Sequence, residues 1–563
     1  MANPDVIVIG AGHNGLVAAS YLAQAGLRVL VLERRKMVGG ACVTEELIPG
    51  ARFSTCAYVP SCLRPQIIRE LELERFGLEL YAADVLDFAM GFSGEHFFLW
   101  PELDRSVREL ERLNKRDSEN FIDFGLRLQR FAKLIEPHLL GEPPSLSSLL
   151  AQFEQAGAID LWHEFVTISI GDLLDRYFEH ELLKGLFMFF ALVGVHAGPT
   201  SPGTAYEFSH HSWGEYKGEF GRYGFARGGM GSITKALASV ARHHGAEIHT
   251  GVGVERIIVR SGVVSGVRLE DGTVLECGTV VSNADPHHTY LKLLDPSDLP
   301  SGFLAKARQI DMRGSMGRVH LLVDRLPQYL GMSSDEGPQH RGFTLLGATP
   351  AAFERGWEAQ QRADLMDNYP VELIIQSVTD PTLAPAGLHT ITTGIQQLPF
   401  NLSEGTWDSR KEEFTERVLR SLFHFAPNLE GAIRGHFTLT PLDLQREYGL
   451  TGGNIFHGAM FTNQLFASRP MPGRGGYRAP IKGLYLCGAG THPGGAVMGA
   501  CGHNGAQALL SDLSIGRPRR STSFKTDRAL DMLATPGPLR KLRSWAVRQP
   551  WIRPVVRILT RKN

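Results

Sequence analysis

The stretch Asp5–Glu33 constrains the fold of this chain more than any other. It reads DVIVIGAGHNGLVAASYLAQAGLRVLVLE, and its first apolar run, Val6–Ile9, is typical of a strand buried on both faces. Good helix formers occupy Leu16–Ala25, and Gly26 is a natural stop for a helix. A second apolar strand, Val29–Leu32, follows. The order predicts one compact strand–turn–helix–strand unit.

Three glycines and one acidic residue give this unit its function. Gly10, Gly12 and Gly15 have G-x-G-x-x-G spacing, which provides a tight turn, close backbone approach to a pyrophosphate and close packing of helix on strand. The helix start adds free N–H groups and a positive dipole end. Glu33 stands where an acidic side chain binds the ribose hydroxyls. We therefore predict a site for an ADP-containing dinucleotide.

A second strand–glycine turn–helix unit, Ile481–Ala506, lies nearly 480 residues later. Its strand, Leu484–Cys487, precedes a glycine-rich turn and a helix of small residues that we expect to end near Leu513. A nicotinamide dinucleotide needs only one such unit, whereas FAD is longer. A helix start aimed at the flavin ring would stabilise negative charge on reduced flavin. The two units together predict FAD. From this turn we assign the following residues to the cofactor: Gly488, Gly490, Gly495, Val497 and Met498.

Further cofactor contacts are predicted near the first unit and in the middle of the chain. The sequence RRKMVGG places Arg34, Arg35 and Gly40 near the phosphates and the ribityl chain. Val254 lies where a chain that passes the adenine would offer backbone hydrogen bonds.

The six cysteines contain no C-x-x-C pair and no metal-ligand spacing, which predicts free thiols in a reducing compartment. Cys42 follows Gly39 and Gly40, as the first redox cysteine does in flavoprotein disulfide reductases. Leu47 stands where the second cysteine would be, so dithiol chemistry is not expected. A covalent flavin link through Cys42 stays open as an alternative.

The strand and helix patterns divide the chain into two domains. We expect an α/β fold, α+β overall, with a discontinuous FAD-binding domain formed by 1–80, 221–298 and 470–516. A substrate domain of antiparallel sheet plus helices would comprise 81–220, largely helical, and 299–469, which contains alternating strands such as Arg318–Val323.

Several helices are predicted individually. Residues Phe121 to Ile135 repeat apolar side chains at helical spacing behind an Asp117 or Ser118 cap. Leu186–Val195 is about half a membrane span and is expected to be a buried helix. Ser232 is expected to cap a helix over Ile233–His244.

The segment 517–563 forms a basic tail with thirteen Lys or Arg residues against two acids. Its aliphatic and Trp residues lie among these charges, which suits an anionic membrane surface. Docking on protein and a disordered tail are the alternatives; nucleic acid is not expected. We expect no secretory presequence. The predicted location is the cytoplasm, peripherally at the inner face of a membrane.

Taken together, the motifs GAGHNGLVAASYLAQAGLRVLVLERR, ARGGMGSITKAL, VVSNADP and YLCGAGTHPGGAVMGACGHNGA resemble those of the phytoene desaturase, carotenoid isomerase and carotenoid ketolase group. These are FAD-dependent oxidoreductases among the glutathione-reductase-like, amine-oxidase-type flavoproteins. The resemblance implies a Rossmann FAD-binding domain with non-covalent FAD. It also implies a substrate domain built from the insertions and relatives that act on long hydrophobic polyenes. The residues it assigns to FAD are Gly10, Gly12, Gly15, Glu33, Arg34, Arg35, Gly39, Gly40, Val254 and the Gly488–Gly499 segment.

The predicted chemistry is hydride transfer from a substrate C–H to flavin N5, with O₂ or a quinone as electron acceptor. Desaturation, isomerisation or oxidation of a hydrophobic isoprenoid or lipid-like substrate is the main hypothesis. An amine-type oxidase that releases hydrogen peroxide, and an interaction protein with structural FAD, are the alternatives. A homo-oligomer is also open.

No convincing catalytic triad occurs, and flavin chemistry does not require one. The catalytic candidates are His492, Tyr477, His457 and Asn454. Aromatic stretches at Phe187–Phe190 and Tyr206–Trp213 are expected to form core or to line an apolar pocket. The adjacent pairs His210–His211 and His287–His288 lack the spacing of helical metal ligands, so they are expected at the surface or in loops and no metal site is predicted.

Overall fold

The computed structural model describes residues 3–515. The predicted basic tail, 517–563, lies outside the described residues. Among these residues, no helix combines the length and apolar character that crossing a membrane requires.

The described chain contains runs of strands, a long run of helices over 103–211 and shorter alternating stretches. The strands are β1 (Val6–Ile9), β2 (Val29–Glu33), β3 (Thr44–Ile48), β4 (Ala51–Ser54), β5 (Leu80–Ala82), β6 (Asp87–Met90), β7 (His96–Leu99), β8 (Glu215–Tyr216), β9 (Glu219–Phe220), β10 (Gly224–Ala226), β11 (Glu247–Thr250), β12 (Val254–Arg260), β13 (Val263–Leu269), β14 (Val274–Glu276), β15 (Val280–Ser282), β16 (Arg318–Val323), β17 (Phe343–Leu346), β18 (Val371–Ile374), β19 (His389–Gly394), β20 (Ile433–Leu439) and β21 (Leu484–Leu486). The helices are α1 (His13–Gln24), α2 (Pro65–Glu70), α3 (Leu103–Leu113), α4 (Lys115–Ile135), α5 (Leu146–Gln155), α6 (Ile159–Trp162), α7 (Ile170–Tyr177), α8 (Glu181–Leu192), α9 (Thr204–His211), α10 (Gly231–His243), α11 (Phe303–Arg308), α12 (Pro350–Gln361), α13 (Gln376–Thr379), α14 (Trp407–Phe425), α15 (Pro441–Tyr448) and α16 (Ala500–Asp512).

A five-stranded parallel sheet carries both predicted dinucleotide units. Its order is β11-β2-β1-β15-β21, so the first strand of the chain lies at the centre. Ile7 of β1 pairs with Leu30 of β2 and with Val280 of β15. Helices α1, α10 and α16 cover one face, and the antiparallel meander β12-β13-β14 packs against the other. The carboxyl end of β1 therefore opens between the two halves of the sheet.

Helices α1 and α16 pack closely although their sequences lie nearly 500 residues apart. A Cβ atom on Gly502 of α16 would clash with the main-chain oxygen of Asn14. The Asn14 side chain accepts a hydrogen bond from the Gly502 N–H at 3.2 Å. The first and second predicted units therefore form one continuous layer.

A seven-stranded sheet lies in the predicted substrate domain, in the order β20-β16-β19-β18-β17-β6-β7. Every adjacent pair is antiparallel except β17 and β6. One face packs on α14 through an apolar core that includes Val319 and Leu373. The alternate residues on these strands, such as Arg318 and Glu372, point to the opposite face.

The first insertion, 81–220, is helical but begins with two strands of this sheet, β6 and β7. They form a hairpin around the turn Gly91–Gly94. The Gly91 N–H donates a hydrogen bond to the Glu95 oxygen, and the Gly91 oxygen accepts the Gly94 N–H. The sequence analysis assigned no strand here, because DFAM and HFFL are too short to show a period. The predicted apolar run Leu186–Val195 is a buried helix for most of its length, within α8.

Two predicted helix caps are wrong. Helix α4 begins at Lys115, and its cap is Asn114, whose side chain accepts the Asp117 N–H at 3.1 Å. The Asp117 carboxylate instead accepts the N–H groups of Glu179 and His180, each at 2.8 Å, just before α8. Helix α10 begins at Gly231 rather than after a Ser232 cap. The Ser232 hydroxyl donates instead to the Gly229 oxygen at 2.9 Å, so neither predicted side chain accepts an N–H group of its own helix start.

Candidate functional site

One cavity of about 2950 Å³ extends between the two sheets and the helical insertion. Its lining begins at the glycine turn Gly10–Gly12, includes Arg318 of β16 and reaches Phe124 of α4. Pockets for single small molecules usually measure about 300–1,000 Å³. This cavity therefore has room for a dinucleotide and a second molecule.

The first glycine turn brings its three predicted residues to one point. Gly10 has a φ of 92°, which favours glycine. A Cβ on Gly12 would lie 2.8 Å from Nδ2 of Asn283, and one on Gly15 would clash with the Gly10 carbonyl oxygen. Gly10 and Gly12 line the cavity, whereas Gly15 lies behind them, where α1 crosses β1. The backbone of Gly10 and Gly12 thus forms part of the wall at this end of the cavity.

Glu33 lies at the same end and holds the turn in place. Its carboxylate accepts the Ala11 N–H at 2.7 Å and the Arg35 N–H at 2.8 Å. A carboxylate offers about four acceptor positions, so capacity remains toward the cavity, which Glu33 lines. Val254 begins β12 and lines the same region, and the neighbouring Val252 N–H donates to the Glu33 main-chain oxygen at 2.8 Å.

The two predicted arginines differ in their surroundings. Arg35 pairs with Glu45 at 2.5 Å, its guanidinium lies 4.7 Å from the ring centre of Tyr448, and its buried Nη1 has no partner among the described residues. Arg34 is exposed and donates to the main-chain oxygen of Arg446 at 3.2 Å. Both line the cavity, but only Arg35 is fixed by its neighbours.

Gly39 and Gly40 close the loop that follows β2. The Gly39 N–H donates to the Ala11 oxygen at 2.8 Å. A Cβ on Gly40 would lie 3.2 Å from the Gly12 Cα. Gly40 lines the cavity, and Gly39 lies behind it.

The C-terminal unit contributes part of its predicted residues to the cavity. Gly495 and Val497 line it, together with Ala496 between them. Gly488, Gly490 and Met498 lie behind this surface. A Cβ on Gly488 would lie 2.7 Å from the Asn283 oxygen, and one on Gly490 would lie 2.5 Å from Pro286. These glycines allow the segment after β21 to approach the segment after β15. The Met498 oxygen accepts the Arg64 N–H at 3.1 Å.

His492 and Tyr477 lie behind the cavity wall in a buried network. His492 Nε2 is 2.7 Å from the His138 oxygen, and burial lowers the pKa of His492 to about 4. The Tyr477 hydroxyl lies 2.7 Å from the Gly141 oxygen and accepts the Asn504 amide at 2.9 Å. Neither side chain lines the cavity, so these contacts favour a structural role over the predicted catalytic one.

Asn454 and His457 have different positions in the same loop. The Asn454 amide donates to the Arg313 oxygen at 2.9 Å and accepts the N–H groups of Phe456 and Gly458. It therefore shapes the loop rather than contacting the cavity. His457 lines the cavity, has a φ of 59°, and leaves its buried Nδ1 unpaired among the described residues. That Nδ1 lies 3.2 Å from a Cβ built on Gly488, beside the segment that follows β21.

The buried Arg469 joins this loop to the C-terminal unit, and the sequence analysis did not single it out. Its guanidinium donates to six main-chain oxygens at 2.6–3.3 Å, those of Phe456, Gly458, Ala459, Gln464, Ala489 and Thr491. Burial lowers the pKa of Arg469 to about 10, so it stays charged at neutral pH. One side chain thus fixes both loops behind the cavity.

Aromatic side chains of the helical insertion form the far wall. Both predicted aromatic stretches contribute, and the contributing residues are Phe187, Phe189, Phe190, Phe208, His211 and Trp213. The rings of Phe187 and Phe208 lie 5.4 Å apart, and those of Phe124 and Phe187 lie 5.7 Å apart. His210 was expected at the surface but is fully buried in α9. The adjacent pair His210–His211 did not predict this burial, because which side of α9 is buried depends on the elements that pack against it.

A polar group on the seven-stranded sheet also escaped the sequence analysis. Arg318, Asp87 and Tyr58 line the cavity, and Glu372 lies behind Tyr58. Burial raises the pKa of Asp87 to about 7, and burial also raises that of Glu372 to about 7 although Arg318 opposes it. Buried carboxyls with such pKa values are typical of functional sites. The sequence could have indicated this group only through single polar residues that occur within otherwise apolar strands.

Comparison with known proteins identifies the family. The family model described as flavin containing amine oxidoreductase matches residues 15–509. The chain belongs to this family.

Named relatives support the same assignment. The chain is 35% identical to pyridine nucleotide-disulfide oxidoreductase domain-containing protein 2 of Rattus norvegicus, over 90% of this chain and 94% of the relative. It is 27% identical to a lycopene-forming phytoene desaturase of Pantoea ananas, over 90% of this chain and 99% of the relative. Both matches confirm the resemblance stated from the motifs. The solved structure of cyclohexylamine oxidase from Brevibacterium oxydans has a similar fold, with a TM-score of 0.56 and 17% identity over 91% of this chain and all of that one.

Membership of the flavin-containing amine oxidoreductases confirms three predictions. The chain is an FAD-dependent oxidoreductase, and its fold is α/β overall with an FAD-binding domain of the amine-oxidase type. Two observations fit a long, anionic cofactor. The glycine turn has no space for larger side chains, so backbone N–H groups can approach a phosphate, and two buried nitrogens, Arg35 Nη1 and His457 Nδ1, have no partner among the described residues.

The burial of Cys42 disfavours both redox chemistry and a covalent link to the flavin. Its thiol is fully buried, lies 3.5 Å from the Met230 oxygen, and burial raises its pKa well above the ordinary value. A neutral thiol is a poor nucleophile. All six cysteines are buried and unpaired with one another, which agrees with free thiols.

Replacing Glu33 with glutamine is expected to raise the dissociation constant for FAD by about tenfold to a hundredfold. The amide would turn an N–H₂ toward either the Ala11 or the Arg35 N–H and so displace the turn, and it would replace the charged acceptor predicted for a ribose hydroxyl, a hydrogen bond worth about 1.5–3 kcal/mol. Titration of the apoprotein with FAD, followed by flavin fluorescence, measures this change. Glu276→Gln, at an exposed position of β14, is the control. Equal affinity of the two variants would remove Glu33 from the cofactor site.

Proposed function

We propose that this FAD-dependent oxidoreductase removes hydrogen from a C–H bond of a hydrophobic, isoprenoid or lipid-like substrate, as a desaturase, isomerase or oxidase. The observation that carries the proposal is the continuity of one large cavity from the glycine turn to the aromatic wall. A relative is named for its action on phytoene, a long polyene.

The cavity divides naturally into two parts. Gly10, Gly12, Glu33, Arg35 and Val254 would hold the adenosine and diphosphate parts of FAD at one end. The turn that contains Gly40 and the segment Gly495, Ala496 and Val497 would hold the remainder. This leaves the aromatic wall for the substrate, because its side chains offer apolar surface and few hydrogen-bonding groups.

The protein contributes positioning and exclusion of water. FAD, when bound, supplies two-electron oxidation of the substrate carbon. The aromatic wall would hold an apolar chain against that position, and holding reactants in place accounts for a large part of catalysis. The rings that meet at Phe187 also keep water out, which protects the transferred hydride.

An amine-type oxidase that releases hydrogen peroxide is the second candidate. It is favoured by the family and by the buried carboxyl Asp87, which lines the cavity and would pair with an ammonium group there. An interaction protein with structural FAD would not need a cavity of this size beyond the cofactor.

Substrate-dependent flavin reduction tests the proposal. Oxidised holoprotein is mixed anaerobically with phytoene in liposomes or with cyclohexylamine, and flavin bleaching is followed by absorbance. We expect bleaching by the polyene class and a rate at least tenfold lower in Phe190→Asp, with Phe190→Leu as the apolar control. The photoreduced holoprotein is then mixed with O₂ or with a quinone to identify the acceptor.

Each alternative has its own outcome in this experiment. Bleaching by the amine alone, followed by peroxide release with O₂, would establish the amine oxidase instead. Bleaching by neither compound, together with no lipid extracted from the purified protein, would leave FAD a structural role.

A further inference from the structure

A row of polar side chains crosses the cavity face of the seven-stranded sheet. Glu372 of β18 pairs with Gly394 of β19 on one side and with Leu345 of β17 on the other. Asp87 of β6 pairs with Phe343, two residues before Leu345 and therefore on the same face. Arg318 begins β16, on the far side of Gly394. Side chains from four strands thus meet on one face.

Direct contacts join the members of this row. The Tyr58 hydroxyl donates to Glu372 at 2.8 Å. The Arg318 guanidinium lies 4.0 Å from the ring centre of Tyr58 and donates to the Thr393 oxygen at 3.1 Å. Gly394 leaves the space between them: a Cβ there would clash with Glu372 and lie 3.3 Å from both Arg318 and Tyr58. The absence of a side chain at Gly394 therefore allows Arg318, Tyr58 and Glu372 to lie in contact.

Two carboxyl oxygens in the row have no hydrogen-bond partner among the described residues. They are Oδ1 of Asp87 and Oε1 of Glu372. Asp87 is only 8% exposed and lines the cavity. Buried polar atoms are almost always satisfied, and leaving one unpaired is unfavourable. These two oxygens therefore need a hydrogen-bond donor, and none of the described residues supplies one.

The polar row continues directly into the aromatic wall. The ring of Phe343 lies 5.8 Å from Tyr58, 5.3 Å from Tyr223 and 5.8 Å from Phe190. Phe190 belongs to the aromatic wall described above. A molecule that extends along this wall would reach the polar row with one end.

We propose that Asp87, Tyr58 and Arg318 form a binding site for the hydroxyl group of an otherwise apolar substrate, with Glu372 behind Tyr58 as the residue that positions its hydroxyl. This inference rests on the proposed function and narrows its substrate class to hydrophobic alcohols. A hydroxyl donates one hydrogen bond and accepts others. It can therefore donate to an unpaired carboxyl oxygen and accept from the Arg318 guanidinium.

Other head groups match the row less well. A carboxylate would face two carboxyl groups and would be repelled unless both were protonated. An ammonium group would face the Arg318 cation within the same row. A hydrocarbon would leave Asp87 and Glu372 unpaired. The raised pKa values of both carboxyls agree with a neutral ligand, because each group then exchanges hydrogen bonds without a buried net charge.

Competition binding to the full-length holoprotein tests the proposal. A polarity-sensitive apolar fluorophore is bound in the cavity and displaced with dodecan-1-ol, dodecane, dodecanoate or dodecylamine. We expect dodecan-1-ol to displace the fluorophore at a concentration about tenfold lower than dodecane or dodecanoate, as one or two hydrogen bonds would give.

Near-isosteric variants connect this preference to the row. Asp87→Asn is expected to reduce the preference for dodecan-1-ol over dodecane to about twofold or less. Glu372→Gln is expected to reduce it to a smaller extent, because Glu372 acts through the Tyr58 hydroxyl that it accepts. Dodecane itself should bind as in the wild type. Glu207→Gln is the matched control, because Glu207 is a fully buried carboxyl whose oxygens have no hydrogen-bond partner among the described residues and which does not line the cavity, whereas Asp87 lines it and Glu372 accepts the hydroxyl of the cavity residue Tyr58. The flavin spectrum and melting temperature verify folding.

The outcomes separate this inference from the proposed function. Equal binding of dodecan-1-ol and dodecane to the wild type, or an unchanged preference in both variants, would overturn the hydroxyl site and leave the apolar substrate class standing. Tighter binding of dodecylamine would overturn it in favour of an amine. Displacement by none of the four compounds would overturn the proposed function as well.

Discussion

Replacing Gly15 with alanine is expected to abolish FAD binding, with a fall of at least tenfold in the flavin content of the purified protein. The added Cβ would clash with the Gly10 carbonyl oxygen and lie 3.1 Å from the Asn283 Cβ. One neighbour is a backbone atom and the other is the first carbon of a side chain, so neither can move aside by a change of rotamer. Helix α1 therefore has to move away from β1. That movement also displaces Gly12 and the helix start, which form the diphosphate end of the cavity.

Flavin absorbance relative to protein absorbance measures this effect. Gly278→Ala is the control, since Gly278 is exposed, has no neighbour within 4 Å of an added Cβ and does not require a positive φ. It should retain wild-type flavin content. A Gly15→Ala protein that retains its flavin would show that the helix can move without loss of the cofactor, which would contradict the assigned role of the turn.

Replacing Arg469 with methionine is expected to lower the free energy of unfolding by about 3–5 kcal/mol and to release FAD. Six main-chain oxygens lose their donor, and each buried polar atom left unpaired costs about 1–3 kcal/mol, with partial relaxation reducing the sum. Methionine preserves much of the volume, so the loss reports hydrogen bonds rather than a cavity.

Urea unfolding of the holoprotein and its flavin content test this expectation. Arg420→Met removes an exposed arginine from α14 and should change the free energy of unfolding by less than about 0.5 kcal/mol. Arg469→Lys should recover only part of the stability, because an ammonium group has three donors and lacks the planar fork of arginine. Equal stability of Arg469→Met and Arg420→Met would show that water replaces the lost donor.

The dinucleotide end of the site follows from the sequence because its determinants are local. Gly10, Gly12, Gly15 and Glu33 lie within one 29-residue stretch, and their spacing alone fixes a turn between adjacent elements. The structure brings them to one place as that spacing predicts. Strand positions such as Arg318–Val323 were predictable for the same reason, since period and β-branching act within a few residues.

The substrate end depends on pairings that a single sequence does not record. Asp87 and Glu372 share one face only because β6 joins β17 in parallel, which is the one parallel contact in that sheet. A slip of one residue in any of these strands would turn the carboxyl away from the cavity. Arg469 acquires its role from carbonyl groups whose loops fold around it. Nothing in the residues next to Arg469 predicts those loops.

The packing of α1 against α16 has a consequence for biosynthesis. Helix α1 leaves the ribosome first, but the strand and helix that complete its layer are the last described elements to emerge. At about 5–20 residues per second, the nascent chain waits on the order of half a minute or longer with the flank of β15 uncovered. The flavin pocket is therefore completed only when β21 and α16 have been synthesised. A chain terminated before them lacks the elements that close the pocket, so we expect it to hold no flavin.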